Sequence, residues 1–445
     1  MASLPSTTYF SLLKGNRSFR NLWYGQIVSE LGDWLNSIAI FTLILSLGGS
    51  GLALGTVMMA KLLPIFFVSP IAGVVVDRMN RKWVMILSDL ARFVVVLGFL
   101  FVTSPEELWL VYTLAALEIA LAGFFEPARS ALLPSVVDRR DLVAANALSG
   151  STWSVMLALG AALGGVVVSL LGTRAAFILD AFTFLVSASF IFRVRLPAAR
   201  GTAALEEKTR TGIANFMDGL RYIIGRPGIL MLTLLKSGLA TSGGVMTLIP
   251  LYAHQMLASP EAVSMATGIL YSCRGVGAAA GPVLIRRWFG DSSRTLQVAI
   301  AGGFFLGSVS IGLFGLSSGL FSASASLALI GLFGSIIWVF STALIHLEAD
   351  ARFMGRVFSM EMGLLTLVMG LSNWAVGYAV EEFNLTANQA AGVLAVLFTV
   401  PGIVWTLFFV ALPHCLKEGK CVGPPLAADP SGLTPPPVGV RPRDD

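Results

Sequence analysis

The chain has 445 residues, of which 56% are hydrophobic and only 12% charged, and its mean hydropathy is +0.80. A soluble domain of this size needs far more polar surface, so the composition excludes a soluble globular fold and indicates a polytopic membrane protein. The formal net charge of +5 does not indicate nucleic-acid binding, because the basic residues are spread over the connections between apolar segments.

Twelve apolar stretches are near or above the length of roughly 20 residues that a membrane-spanning helix needs. The sequence therefore predicts an all-α membrane protein whose consecutive helices are joined by short connections and run antiparallel. The predicted spans are 21–48, 51–76, 83–103, 108–128, 142–171, 175–192, 228–257, 262–285, 295–315, 319–345, 357–380 and 385–412.

The basic residues alternate between the two ends of these helices. If the N-terminus is cytoplasmic, Arg174 is the single basic residue between spans that falls outside. Because cytoplasmic loops carry the excess of Lys and Arg, we expect a multi-pass plasma-membrane protein with both termini cytoplasmic. The residues placed inside include Lys14, Arg17, Arg20, Arg78, Arg81, Lys82, Arg129, Arg139, Arg140, Arg286, Arg287, Arg294, Arg352 and Arg356.

One long connection, 193–227, divides the chain into a six-helix bundle at 1–192 and a second at 228–412. Weak similarity between the halves predicts pseudo-symmetry around a central site, which is typical of secondary transporters. The tail, 413–445, is rich in proline and small residues, and we expect it to be disordered. Within the connection, apolar residues at helical spacing predict an amphipathic helix on the inner membrane surface. They are Ile213, Phe216, Met217, Leu220 and Ile224.

Ionisable residues lie inside the predicted spans, and acids outnumber bases among them. Each costs roughly 2.5–3.5 kcal/mol at a helix centre, so each needs a partner or a watery cavity. A surplus of buried carboxylates is what proton coupling would use. The residues are Glu30, Asp33, Lys61, Asp89, Arg92, Glu118, Glu126, Asp180, Lys236, Arg274 and Glu361.

The first span carries a polar stripe of Gln26, Glu30, Asp33 and Asn36, which share one helical face. Asp33 lies about 18 Å along this helix, near the midplane. We therefore predict Asp33, Glu30 and Glu118 as proton-coupling residues. The predicted cavity or substrate residues are Gln26, Asn36, Lys61 and Arg274.

Structural explanations of these charges stay open. Glu30 or Asp33 could be paired permanently with Lys61, and Asp89 with Arg92 three residues on is the arrangement of a local bridge. Arg274 could contact an anionic substrate, or it could hold Glu118 or Asp33 across the two halves. The sequence contains no catalytic, cofactor-binding or metal-ligand pattern, so we expect neither an enzyme nor a cofactor or metal site.

The ten residues Gly73–Lys82 form a short charged loop between the second and third spans, with Asp77, Arg78 and Arg81 inside it. This spacing resembles the signature loop of the major facilitator superfamily. Three further stretches, 19–33, 124–134 and 180–184, resemble its bacterial drug-efflux branch, which includes macrolide and enterobactin exporters. The loop departs from the family pattern at Asn80, where glycine is usual, and a motif in the fifth span has Ala161 in place of proline.

The resemblance implies the major facilitator fold and proton-coupled export of a small amphiphilic molecule, such as a drug or siderophore, by a monomer that alternates access. It also implies that Asp77 closes the cytoplasmic side by contacting the start of helix 11. Alternatives are a lipid or lysophospholipid flippase and, from another class, a transport-inactive receptor or accessory protein. The implied gating residues are Gly73, Asp77, Arg78, Arg81, Lys82, Glu126 and Arg129.

Overall fold

The computed structural model describes residues 9–138, 141–196, 212–289, 293–350 and 353–411. Within these ranges all regular secondary structure is helical. The fifteen α-helices are α1 (Tyr9–Gly15), α2 (Arg17–Ser46), α3 (Gly51–Ala60), α4 (Leu63–Arg78), α5 (Arg81–Leu97), α6 (Leu108–Val136), α7 (Leu142–Phe192), α8 (Gly212–Ile224), α9 (Pro227–Ala240), α10 (Val245–Met256), α11 (Pro260–Phe289), α12 (Ser293–Gly315), α13 (Leu320–Glu348), α14 (Met354–Glu382) and α15 (Ala387–Ala411).

Ten helical stretches of the described residues are long and apolar enough to cross a membrane. One of them, 144–192, has 49 residues, about twice what one crossing needs. It breaks at Gly172, whose φ of 82° and ψ of 170° lie in a region that essentially only glycine occupies. This stretch therefore contains two of the predicted spans, and α11, which is not among the ten, contains another.

Two predicted spans are broken helices. The second consists of α3 and α4, which are separated at Lys61 and Leu62, and Pro64 follows in the first turn of α4. The seventh consists of α9 and α10, joined by a 3₁₀ turn at Thr241–Gly244. Secondary transporters use such discontinuous helices near their central site, where a cavity can satisfy the freed backbone groups.

The helices form two groups, α2–α7 and α9–α15, that meet face to face. We call the end where α4 meets α5 and α13 meets α14 the basic end, and the opposite end the distal end. Between the groups, α7 packs on α11 and α3 packs on α14. A side chain at Gly165 would strike the backbone of Ser264 on α11, and one at Gly55 would strike the backbone of Asn373 on α14. The two groups are therefore in backbone contact towards the distal end, which is closed.

The connection between the groups contains the predicted amphipathic helix as α8, Gly212–Ile224. Tyr222 stacks on Phe353 with 4.2 Å between ring centroids, and its hydroxyl accepts a hydrogen bond from the Asp350 amide at 2.8 Å. These contacts fix the end of α8 to the start of α14. Residues 197–211 and the predicted disordered tail lie outside the described residues.

Candidate functional site

Arg92 on α5 lies at the centre of a buried charge network in the N-terminal half. Its guanidinium forms an ion pair with Asp33 on α2, lies 3.7 Å from Glu118 on α6, and donates a hydrogen bond to Ser29 at 3.3 Å. The ring of Phe184 covers its other side, with 4.0 Å from the ring centroid to Cζ. One cation thus joins three helices, and the planar fork of arginine suits it to hold two carboxylates.

This arrangement corrects one expectation and excludes one alternative. The predicted bridge from Asp89 to Arg92 is wrong, since the guanidinium pairs with Asp33 and Glu118 instead. The alternative in which Lys61 pairs with Glu30 or Asp33 is not found; the Lys61 ammonium donates a hydrogen bond to Ser37 at 2.8 Å. The physical reason is helix orientation: Arg92 faces α2 and α6, where two carboxylates lie within its reach, and a buried charge is costly without such a partner.

The network has more acid than base. Glu118 is buried and accepts a hydrogen bond from the side-chain amide of Asn36 at 2.6 Å. Asp89 and Asp180 are fully buried nearby. Asp33 is the most accessible member of the ion-paired group. Its side chain is 39% exposed, whereas the side chains of Arg92 and Glu118 are each 2% exposed. Asp33 is therefore the member of this ion-paired group that is open to the surroundings.

A chain of polar contacts runs along α2 from the basic end towards this network. Arg129 forms an ion pair with Glu126 at 2.8 Å and donates to the side-chain oxygen of Gln26 at 3.2 Å. The Gln26 amide nitrogen donates to Glu30 at 2.8 Å and to the backbone oxygen of Ser149 at 3.0 Å. Glu30 lies one helical turn from Asp33. Gln26, Glu30, Glu126 and Arg129, predicted separately as cavity, proton and gate residues, are therefore connected.

Of the predicted charged loop only Met79 and Asn80 lie outside helices, since α4 ends at Arg78 and α5 begins at Arg81. Arg81 and Lys82 contact their own half. Arg81 donates to the backbone oxygen of Ala131 at 3.0 Å, and Lys82 donates to the backbone oxygens of Phe192 at 2.6 Å and Val194 at 2.9 Å. Gly73 and Arg78 are exposed. Asp77 belongs to α4, but its side chain lies outside the described residues, so its contact with helix 11 stays a prediction.

A second ion pair lies in the C-terminal half. Lys236 on α9 is 3.0 Å from Glu361 on α14, donates to the Thr342 hydroxyl at 2.8 Å, and lies 4.6 Å from the centroid of the Trp338 ring. The sequence marks both residues as intramembrane charges but predicts no role for them. Their opposite signs on the seventh and eleventh spans are the signal that could have indicated the pair.

Arg274 lies halfway along the 30 residues of α11, where the two halves meet. No carboxylate among the described residues lies within 4 Å of it, so the alternative in which Arg274 holds Glu118 or Asp33 is not found. Both acids are held by Arg92 instead. The described residues also contain no group of three or more His, Cys, Asp or Glu side chains that could hold a metal ion.

A family model described as Major Facilitator Superfamily matches residues 22–372. The chain is 27% identical over 367 residues to the putative bacilysin exporter BacE of Bacillus subtilis (strain 168). The match covers 81% of this chain and 88% of BacE. It is 24% identical over 364 residues to macrolide efflux protein A of Streptococcus pyogenes, covering 79% and 86%. The crystal structure of nucleoside transporter NupG (D323A mutant) superposes with a TM-score of 0.70 at 13% identity, covering 88% of this chain and 99% of NupG.

Proposed function

Because the chain belongs to the Major Facilitator Superfamily and is therefore a multi-pass secondary transporter and not an enzyme, we propose that it exports a small amphiphilic molecule in exchange for protons. It acts as a monomer in the plasma membrane, with both termini and the basic end in the cytoplasm. Export is supported by the similarity to proteins named for bacilysin export and macrolide efflux.

The observation that carries the proposal is the ion pair between Asp33 and Arg92 inside an acid-rich cluster. A proton that binds Asp33 cancels its attraction for Arg92 and leaves the guanidinium to Glu118. That change weakens a contact between α2 and α5, so protonation alters the packing of the helix that lines the space between the halves. The exposed fraction of Asp33 gives the proton a route that the buried acids lack.

The closed distal end fits the first step of export. With the distal end outside, the described state excludes the exterior and receives substrate from the cytoplasm. The chain from Arg129 through Gln26 to Glu30 then lies on the cytoplasmic route to Asp33. Release outside requires the glycine contacts between α7 and α11 and between α3 and α14 to separate.

The test uses everted membrane vesicles with an imposed proton gradient and a panel of amphiphilic compounds. We expect at least one compound to be taken up only with the gradient, and its addition to release protons from the vesicles. Asp33→Asn should abolish gradient-driven uptake while substrate binding persists. The matched control is Glu261→Gln, an exposed acid at the start of α11, which should transport normally.

Two results would contradict the proposal. Normal gradient-driven uptake by Asp33→Asn would remove this residue from the mechanism. Uptake of a fluorescent lysophospholipid, without proton-linked uptake of any soluble amphiphile, would indicate a lipid flippase instead.

A further inference from the structure

Helix α11 is held on two sides by close backbone packing. On one side, the Ser272 hydroxyl donates to the backbone oxygen of Ala158 on α7 at 2.5 Å, and a side chain at Gly275 would strike the same residue. On the other side, Gly281 lies against Leu332 of α13 in the same way. These contacts fix the rotation of α11 and hence the direction of its remaining face.

Tyr271 shows where that remaining face points. Its ring stacks on Phe41 at 6.0 Å between centroids and lies 5.6 Å from Trp34, both on α2 of the other half. Its hydroxyl donates to the backbone oxygen of Met246 on α10 at 2.7 Å. Arg274 follows three residues later, so it lies on about the same face, one turn closer to the basic end. Its side chain is directed at the interface between the halves, below the closed distal end.

Arg274 has no counter-charge in this position. Its Nε atom is buried and has no hydrogen-bond partner, and the residue as a whole is half-buried. Among the described residues no carboxylate lies within ion-pair distance, and the nearest acidic cluster is already organised by Arg92. A cation halfway through a membrane-spanning helix is costly, so an unsatisfied guanidinium indicates that a ligand supplies the missing acceptor.

We propose that Arg274 binds a carboxylate group of the exported molecule, while the half-buried ring of Trp34 contacts the apolar part of that molecule. This inference rests on the proposed function and narrows the substrate to carboxylate-bearing amphiphiles. The guanidinium suits this ligand because it can donate two parallel hydrogen bonds to the two carboxylate oxygens. A permanent dication is disfavoured, since it would meet an uncompensated positive charge.

The test measures binding and transport of matched compounds that differ only in charge. The probes are 4-(1-pyrenyl)butanoate, 4-(1-pyrenyl)butanamide and 4-(1-pyrenyl)butylamine, with the same three head groups on naphthyl and indolyl scaffolds. Binding to the purified full-length protein is followed by fluorescence anisotropy, and transport is followed in proteoliposomes with a proton gradient. We expect the wild type to bind an acid about tenfold more tightly than its amide, as one charge-assisted contact allows.

Arg274→Gln should lose this preference and keep the amide affinity. Arg274→Lys, which keeps the charge without the fork, should retain part of the preference. Arg174→Gln removes an exposed arginine at the distal end and should behave as the wild type. Because the Arg274 Nε lacks a partner, Arg274→Gln should unfold at or above the unfolding temperature of the wild type. A large fall in the unfolding temperature would reveal a structural role for Arg274 and overturn the inference.

The inference is also overturned if amides or amines bind as tightly as the acids, or if Arg274→Gln keeps the preference for acids. In either case the proposed function stands, provided that those compounds are transported with the proton gradient. If no head group on any scaffold binds or is transported, the proposed function itself fails and this inference falls with it.

Discussion

Lys236 and Glu361 form an ion pair that is withdrawn from solvent almost completely, with exposed side-chain fractions of 3% and 0%. The pair joins α9 to α14, and α14 is the helix that meets α3 across the two halves. Removing one partner of a buried ion pair destabilises the fold strongly, because the other charge stays buried without a counter-charge. Replacing both charges together by apolar residues destabilises it much less. The pair therefore ties the C-terminal half together next to the contact between the halves.

The first prediction follows from this asymmetry. Glu361→Gln should destabilise the protein by about 3–5 kcal/mol, because it leaves the Lys236 ammonium buried without a counter-charge. The double variant Lys236→Met, Glu361→Met should recover most of that loss. Thermal unfolding in detergent measures both. Equal destabilisation by the single and double variants would show that the ion pair itself, and not the orphaned charge, supplies the stability.

A second prediction concerns the distal contact between Glu381 and the start of α3. The Glu381 carboxylate accepts hydrogen bonds from the Ser50 hydroxyl and, at 3.3 Å, from the Leu52 amide, so it caps a helix of the other half. Losing a cap costs about 1 kcal/mol, which would change the ratio of distally closed to open molecules roughly fivefold. Spin labels at the exposed residues Thr103 and Ser318, which lie at the distal end of the N-terminal and the C-terminal half, report the distance between the two halves at that end.

Glu381→Gln should increase the population with the longer distance between these labels. Glu382→Gln, the exposed neighbour in the chain, is the matched control and should leave the distance distribution unchanged. Identical distributions for Glu381→Gln and the wild type would mean that this cap does not hold the distal end closed.

A third prediction tests the backbone contact between α3 and α14. A side chain at Gly377 would overlap the backbone of Gly51, at less than van der Waals distance. Gly377→Leu should therefore prevent distal closure and reduce the transport rate to near zero while the protein still inserts and folds. Gly392→Leu, at a position with nothing within 4 Å, serves as control. Normal turnover by Gly377→Leu would show that closure does not need this approach.

A fourth prediction tests the orientation. In a variant without Cys273, Cys415 and Cys421, single cysteines at Ser104 and Ser318 should react with a membrane-impermeant maleimide added to intact cells, because both lie at the distal end. The reason is the excess of basic residues at the opposite end. Labelling only after the membrane is opened would reverse the assignment of inside and outside.

The sequence predicts the helices well because span length and hydropathy are local properties. The all-α membrane fold and the family are confirmed, and the break at Gly172 coincides with a predicted connection. Pairing of charges is not local. The spacing in the sequence suggested Asp89 as the partner of Arg92. In the structure the Arg92 guanidinium instead pairs with Asp33 and Glu118, which lie on two other helices. The residues that matter were visible in the sequence, but their partners depend on which helix faces meet.

The single-residue break at Gly172 has a mechanical consequence. Because Gly172 alone joins the two arms of α7, the arms are connected directly, with no loop between them. The first arm touches α11 through Gly165, and the second presents Phe184 to Arg92. If the first arm leaves α11 as the distal end opens, its movement reaches the second arm at Gly172. We therefore expect opening of the distal end to change the contact between Phe184 and Arg92.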